Sequence, residues 1–376
     1  MLKMIDRKCK LFFFVGTEAE LIKLFPIMLE FKRQKITFCM IASGQNDITK
    51  SKLLDIVGRE YLKLELSKES SIRKTTFGLL VWWGHTFLCA KKKFKERFKN
   101  VDFSDSIMLV HGDTVSTVMG ALLGKRLKMR VAHVEAGLRS HDYFNPFPEE
   151  IDRMITSRFA NIHYAPGTEA TQNLIRAKGD VINTKYNTIY DSLLYSYQMP
   201  SDNKLVNKLI GQKYCVFVLH RQENLSNRAL VEMITAQMLK ASKTLMCVLL
   251  MHKPTEVWLQ KYNLLDQIKS IDEVVVTSRM EYFDFMKVLN GAQFIITDGG
   301  SNQEELSYMG KPCMIIRETT ERNDGLGENA VLWEKSEDNI ERFIVEYKRY
   351  ERESLVLDES PSVSICADIR NRIYMK

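Results

Sequence analysis

The sequence predicts an α/β protein of two domains, each built on a parallel sheet with helices on both faces. Three observations carry this reading. Short apolar runs alternate with longer helical patterns almost without interruption, the signature of βα units. The apolar runs lack polar alternation, as strands covered on both faces do. And 376 residues exceed one ordinary core, whereas about 150 residues per domain gives two.

Taken in order, the runs predict strands at 10–15, 36–42, 106–111, 129–134, 161–165 and 180–184, with helices between them. A polar interval, "QMPSDNKLVNKLIGQK" at 198–213, breaks the rhythm. Strands then resume at 214–220, 245–252, 273–278, 292–298 and 312–318. The expected division is a first domain over 1–197, a linker over 198–213, a second domain over 214–358, and a C-terminal segment, 359–376, packing back on the first domain.

With 45% hydrophobic and 27% charged residues and no low-complexity tract, the chain reads as globular, and disorder is excluded. Seven cysteines form no CxxC pair and sit mostly inside apolar stretches, so they read as core thiols in a reducing compartment. The longest N-terminal apolar run, "LFFFVG" at 11–16, is a strand's length, too short for a signal sequence or a membrane span. A cytoplasmic location and no integral membrane segment are expected. The net charge of +7 is spread along the chain except in "KKKFKERFK" at 91–99, which reads as the solvated face of a helix. No nucleic-acid partner is expected.

The polar clusters fall at the C-terminal ends of predicted strands: Gly16-Thr17, His111 to Thr114, His133 to Arg139, His220-Arg221, His252, and Asp298 to Ser301. Ligands bind at that edge of open α/β sheets, and two such edges facing one another would form one cleft. In "TDGGSNQEE" (297–305), Gly299 and Gly300 let a backbone approach a ligand, and the helix start that follows favours an anion such as a diphosphate. Glu305 either accepts from ribose hydroxyls or complements the helix dipole. Arg317 and Arg322 follow the next strand, and arginine suits bidentate phosphate contacts. In "LVHGDTVST" (109–117), Asp113 or Thr114 is expected to cap a helix. His220, ending a strand in "VFVLHRQEN", is read as structural or as a ligand-facing group.

"HVEAGLRSHDYFNPFPEE" (133–150) crowds three glutamates behind a strand. Pro148 is expected in the first turn of a helix, with Glu149 and Glu150 complementing its dipole. Glu135, directly after the strand, is harder to read as decoration. Neither an HExxH metal motif nor a GxSxG nucleophile elbow occurs.

These segments, with "APGTEATQNL" and "RETTER", stand in an order and spacing that resembles the non-hydrolysing UDP-N-acetylglucosamine 2-epimerases over about residues 10–350. The resemblance implies two Rossmann-like domains facing across a cleft, the GT-B arrangement. It implies catalytic roles for Asp113, Glu135, Glu149 and His220. It further implies a UDP-sugar held by Glu305 at the ribose, by the Gly299, Gly300 and Ser301 turn and Arg322 at the phosphates, and by Lys23, Arg139 and Phe285.

The reaction so implied is epimerisation at C2 of a UDP-2-acetamido-sugar by elimination and re-addition of UDP, serving surface polysaccharide synthesis, without cofactor or metal. Whether the chain forms a homodimer stays open. Three departures touch the nucleotide side: Glu18 stands where the family usually has arginine, the Asp-Ser-Gly-Gly turn is permuted to "DGGS", and Met280 replaces a common glutamine. They leave a GT-B glycosyltransferase as the main alternative, ahead of a hydrolysing 2-epimerase and a sugar-nucleotide sensor.

Overall fold

The protein, in a computed structural model that describes residues 9–68, 76–99, 101–143, 147–318, 320 and 322–374, forms two parallel sheets. The first contains β1 (Leu11–Val15), β2 (Cys39–Ala42), β3 (Leu62–Glu65), β4 (Ile107–His111), β5 (Arg130–Val134), β6 (Ile162–Ala165) and β7 (Asp180–Asn183). Its order is β3-β2-β1-β4-β5-β6-β7. The second contains β8 (Tyr214–Val218), β9 (Met246–Met251), β10 (Val274–Ser278), β11 (Ile295–Thr297), β12 (Cys313–Ile315) and β13 (Ala330–Leu332), in the order β10-β9-β8-β11-β12-β13. In each sheet the strand order reverses beside the first strand of that sheet, which creates a crevice at the strand ends.

The central strands follow from composition. All five residues of β1, β4 and β8 are buried, as helices on both faces require. The basic run "KKKFKERFK" shows how a charged segment joins a core. Helix Thr76–Arg97 carries most of it, and the i, i+4 spacing turns Phe94 and Phe98 inward. Their ring centroids lie 5.3 and 5.2 Å from that of Phe12 on β1. Lys92, Lys93, Lys95 and Lys99 remain exposed, a solvated face. Two strands escape the sequence reading, β3 and β13. Both lie at sheet edges; β3 is half-exposed and β13 has only three residues, so neither produces a long apolar run.

The chain packs as two units, one running to Ser192 and including Glu359 onward, the other Leu193–Asp358. The division falls within helix Ile189–Gln198, and the interval 198–213 contains a further helix, Lys204–Leu209. Asn203 caps that helix, and Ser201 Oγ and Asn203 Nδ2 donate to Asp284 Oδ1 and Oδ2 at 2.6 and 3.3 Å. The C-terminal helix Pro361–Tyr374 lies on helix Glu18–Arg33 in the first unit. There Asp368 accepts from Tyr164 Oη at 2.7 Å, and Asp191 accepts from Ser362 N at 2.9 Å. All seven cysteines are free thiols, and six are buried.

Gly16 ends β1 where the turn passes against helix Val115–Arg126. A Cβ there would stand 2.2 Å from Ser116 Cβ and 3.0 Å from Ser43 Oγ, so only glycine fits without displacing the helix start. Gly16→Ala is expected to destabilise the protein by about 1–3 kcal/mol, read as a lower urea midpoint; an unchanged midpoint would contradict this packing.

Candidate active site

In the first unit, the end of β5 places Glu135 in the left-handed region, φ 62°. A non-glycine residue held there costs of order 1–3 kcal/mol and persists only where its surroundings fix it. Those surroundings are specific. Glu135 is only 7% exposed; its Oε2 receives Lys23 Nζ and Asn187 Nδ2 in short contacts, and His111 Nε2 lies 3.4 Å away. Lys23 supplies the charge, because burial pushes the His111 imidazole below its ordinary value against the pull of Glu135. The lysine is fixed in turn: Thr188 Oγ1 donates to Lys23 O, and Ser192 Oγ to Ile22 O, each at 2.6 Å.

A second carboxylate group surrounds the start of helix Glu149–Phe159. Thr114, rather than Asp113, caps helix Val115–Arg126, with Thr117 completing a capping box. Asp113 therefore turns to Arg153, whose Nη2 and Nε lie 2.6 and 2.9 Å from its Oδ2. Pro148 occupies the N-cap position, so the helix begins one residue later than the first-turn proline implied.

Glu149 is half-buried at that first position, and Glu150 does more than complement the dipole. It is buried, accepts from Ser140 N at 3.0 Å and Arg153 Nη1 at 3.1 Å, and lies 3.8 Å from Arg139 Nε. Arg139 also donates to Ser157 Oγ at 3.2 Å, so its guanidinium braces this helix. Residues 144–146 of the glutamate-rich stretch lie outside the described residues.

Two further buried carboxyl groups adjoin Asp113. Glu20 is pushed up to about 7 by burial, against hydrogen bonds from Thr114 and from Gly16 N. Burial, then the charges of Asp113 and Glu149, push Asp152 up to about 7 as well. His111 senses Glu135, Lys23 and Asp113 together, which places the two carboxylate groups in one electrostatic neighbourhood. Glu18, the departure at the end of β1, accepts from Ser51 Oγ at 2.7 Å.

In the second unit, Asp298 at the end of β11 organises the loop after β8. It is fully buried and accepts from His220 N, Arg221 N and Asn224 Nδ2 at 3.0–3.2 Å, with His220 Nδ1 3.0 Å away. Burial alone would raise its pKa; these donors outweigh that and hold it below the usual carboxylate range. The His220 ring is thereby oriented and stands over Gly299, where a Cβ would meet its Cε1 at 3.2 Å.

Gly299, Gly300 and Ser301 open helix Gly300–Met309, which turns its first backbone N–H groups toward the strand ends. Glu305, one turn on, is buried against Asn302 Nδ2 at 3.4 Å and the Tyr282 hydroxyl. Arg322 donates from Nη1 to the buried Glu304 at 2.5 Å. Phe285 is half-buried on helix Tyr282–Gly291. Of the "RETTER" segment, residues 319 and 321 lie outside the described residues.

Sequence reasoning thus missed Asn187, Arg153 and Asp298 as partners of its chosen residues. Asn187 and Asp298 each follow a strand, which was the available signal. Arg153 carried none, because the pairing with Asp113 spans 40 residues.

Residues 32–360 match the family model described as UDP-N-acetylglucosamine 2-epimerase. The chain is 30% identical to the UDP-N-acetylglucosamine 2-epimerase of Methanocaldococcus jannaschii over 341 residues, covering 87% of this chain and 89% of that protein. It is also 30% identical to the Bacillus subtilis enzyme of the same name over 327 residues, with coverage of 85% and 82%. The crystal structure of the M. jannaschii enzyme in complex with UDP-GlcNAc and UDP matches with a TM-score of 0.77 at 26% identity, covering 96% of this chain and 99% of that one. By the extent of these matches, the chain belongs to the UDP-N-acetylglucosamine 2-epimerase family.

Proposed function

We propose that the protein epimerises UDP-N-acetylglucosamine, or a close UDP-2-acetamido analogue, at C2. The observation that carries this reading is Glu135, a carboxylate held in a costly backbone conformation at a strand end with its charge fixed by Lys23. A carboxylate so placed can take a proton without reorganising. The C2–H bond breaks toward Glu135 while the C1–O bond breaks with UDP as leaving group, giving a 2-acetamido-glycal. UDP then re-forms the C1–O bond, and an acid of the second carboxylate group, Glu149 or Asp113, delivers a proton to the other face of C2.

In the second unit, His220 and the Gly299–Ser301 helix start are proposed to serve the diphosphate, and Glu305 the ribose. The same family's M. jannaschii member was crystallised with UDP-GlcNAc and UDP, which supports this nucleotide. Glu18 accepts a hydrogen bond from Ser51 and Lys23 is spent on Glu135, so the phosphate charge is proposed to fall to Arg322 and the helix start. A homodimer is supported by Phe77, Leu80, Val81 and Leu88, exposed along one face of helix Thr76–Arg97. A cytoplasmic location is supported by the seven free thiols. No helix among the described residues is long and apolar enough to cross a membrane.

Incubated with UDP-N-acetylglucosamine in deuterated water, the protein is expected to yield the manno epimer carrying deuterium at C2, seen by NMR. Free sugar without UDP re-addition would indicate the hydrolysing reaction instead, and neither exchange nor epimer would refute the assignment for this sugar. Glu135→Gln is expected to slow exchange by roughly 10²–10⁴-fold with UDP affinity within about threefold by calorimetry. Parallel loss of UDP binding would mark Glu135 as structural.

A further inference from the structure

Gln303 is fully buried in helix Gly300–Met309, directly before Glu304 and Glu305. Its side-chain hydrogen bonds all go to one loop, the connection between β12 and β13. Nε2 donates to Arg322 O at 2.9 Å and to Asp324 O at 3.1 Å, and Oε1 accepts from Thr320 Oγ1 at 2.8 Å. Thr320 Oγ1 in turn accepts from Arg322 N at 3.2 Å. Both backbone polar groups of Arg322 are thus tied to this one side chain, the carbonyl directly and the N–H through a hydroxyl.

The rest of the loop follows the same helix. Gly325 passes Ser307, one turn beyond Gln303, so closely that a Cβ would stand 3.0 Å from Ser307 Oγ. Near β13, Asn329 Nδ2 donates to Leu306 O and Lys311 O at 3.1 and 2.8 Å. The head of Arg322 is set by the next helix residue: Nη1 donates to Glu304, which is itself held by Tyr308 Oη at 3.2 Å. Consecutive helix residues therefore fix the two ends of one arginine, Gln303 its backbone and Glu304 its guanidinium.

An arginine on an unanchored loop must be ordered when an anion binds, and that entropy is subtracted from affinity. An arginine already held makes its charge-assisted contact at less cost. Glutamine suits the task, because its amide supplies two donors for the two carbonyls and an acceptor for the hydroxyl; a carboxylate would face the carbonyls with no donor.

We propose that Gln303 is a positioning residue for diphosphate recognition, acting through Arg322. The inference rests on the placement of Arg322 at the diphosphate under Proposed function.

The test measures UDP binding by calorimetry and uridine binding by NMR titration in wild type, Gln303→Met, Arg322→Ala and the double variant. Methionine keeps the length and helix propensity of glutamine without its hydrogen bonds. Gln303→Met is expected to bind UDP about tenfold more weakly with uridine affinity within about twofold, since uridine has no phosphate for Arg322 to meet. The double variant is expected to bind UDP no more weakly than Arg322→Ala, the non-additivity of two residues acting through one contact. A Gln303→Met protein that binds UDP like wild type, loses uridine to the same degree, or multiplies its loss with that of Arg322→Ala would overturn the proposal.

Should Gln303→Met fail to fold, Thr320→Val cuts the same linkage at a half-buried position and is expected to weaken UDP about threefold with uridine unchanged. Unaltered UDP affinity in that variant would overturn the proposal. Wild type that binds UDP but shows no C2 exchange refutes the epimerase reading while the variants still decide this one; wild type that binds no UDP overturns both.

Discussion

The first unit depends on one buried ion pair, Lys23 with Glu135. Taking both charges out of water costs several kcal/mol per ion, and only close contact and further hydrogen bonds recover it. The chain supplies both. Lys23 comes from the first helix, Glu135 from the end of β5 and Asn187 from the segment after β7, so the pair ties together elements separated by 112 and 52 residues. Removing one partner leaves an uncompensated charge, and losses of about 3–5 kcal/mol are typical. A protein that needed only stability would place apolar side chains here. Retaining the pair, together with a strained backbone at Glu135, is the pattern of a functional site.

The carboxylates are treated differently according to their neighbours. Glu135 faces an ammonium and Asp113 a guanidinium. Glu20 and Asp152 are buried with little or no positive charge and retain protons toward neutrality. Groups of the same chemical type thereby stand in unlike surroundings within one neighbourhood, which is how a single site can hold both proton acceptors and proton donors. On the other unit, Asp298 uses its charge to set backbone N–H groups and the His220 ring, a structural use of an anion at a strand end.

How much of this was legible in the sequence follows from the range of each interaction. Local patterns were readable: the apolar runs of β1, β4 and β8, the helix behind "KKKFKERFK", and a cap at Asp113 or Thr114. Edge strands β3 and β13 were not, because half-exposed or three-residue strands carry little apolar signal. Glu135 was singled out by its position after a strand, but its left-handed backbone and the asparagine that meets it arise from tertiary packing. Glu150 was read as a dipole-complementing acid, since its partners Ser140 and Arg153 become visible only once the loop and helix are folded together. Lys23, expected at the diphosphate, is the buried partner of Glu135.

The central claim is that the substrate passes through a state in which C2 has lost its proton, with Glu135 stationed to take it. The most direct measurement follows the label in the opposite direction, from UDP-N-acetylglucosamine deuterated at C2 into ordinary water. The account predicts that every molecule of manno epimer formed has exchanged its C2 deuterium for solvent hydrogen. Epimer that keeps its deuterium would contradict it.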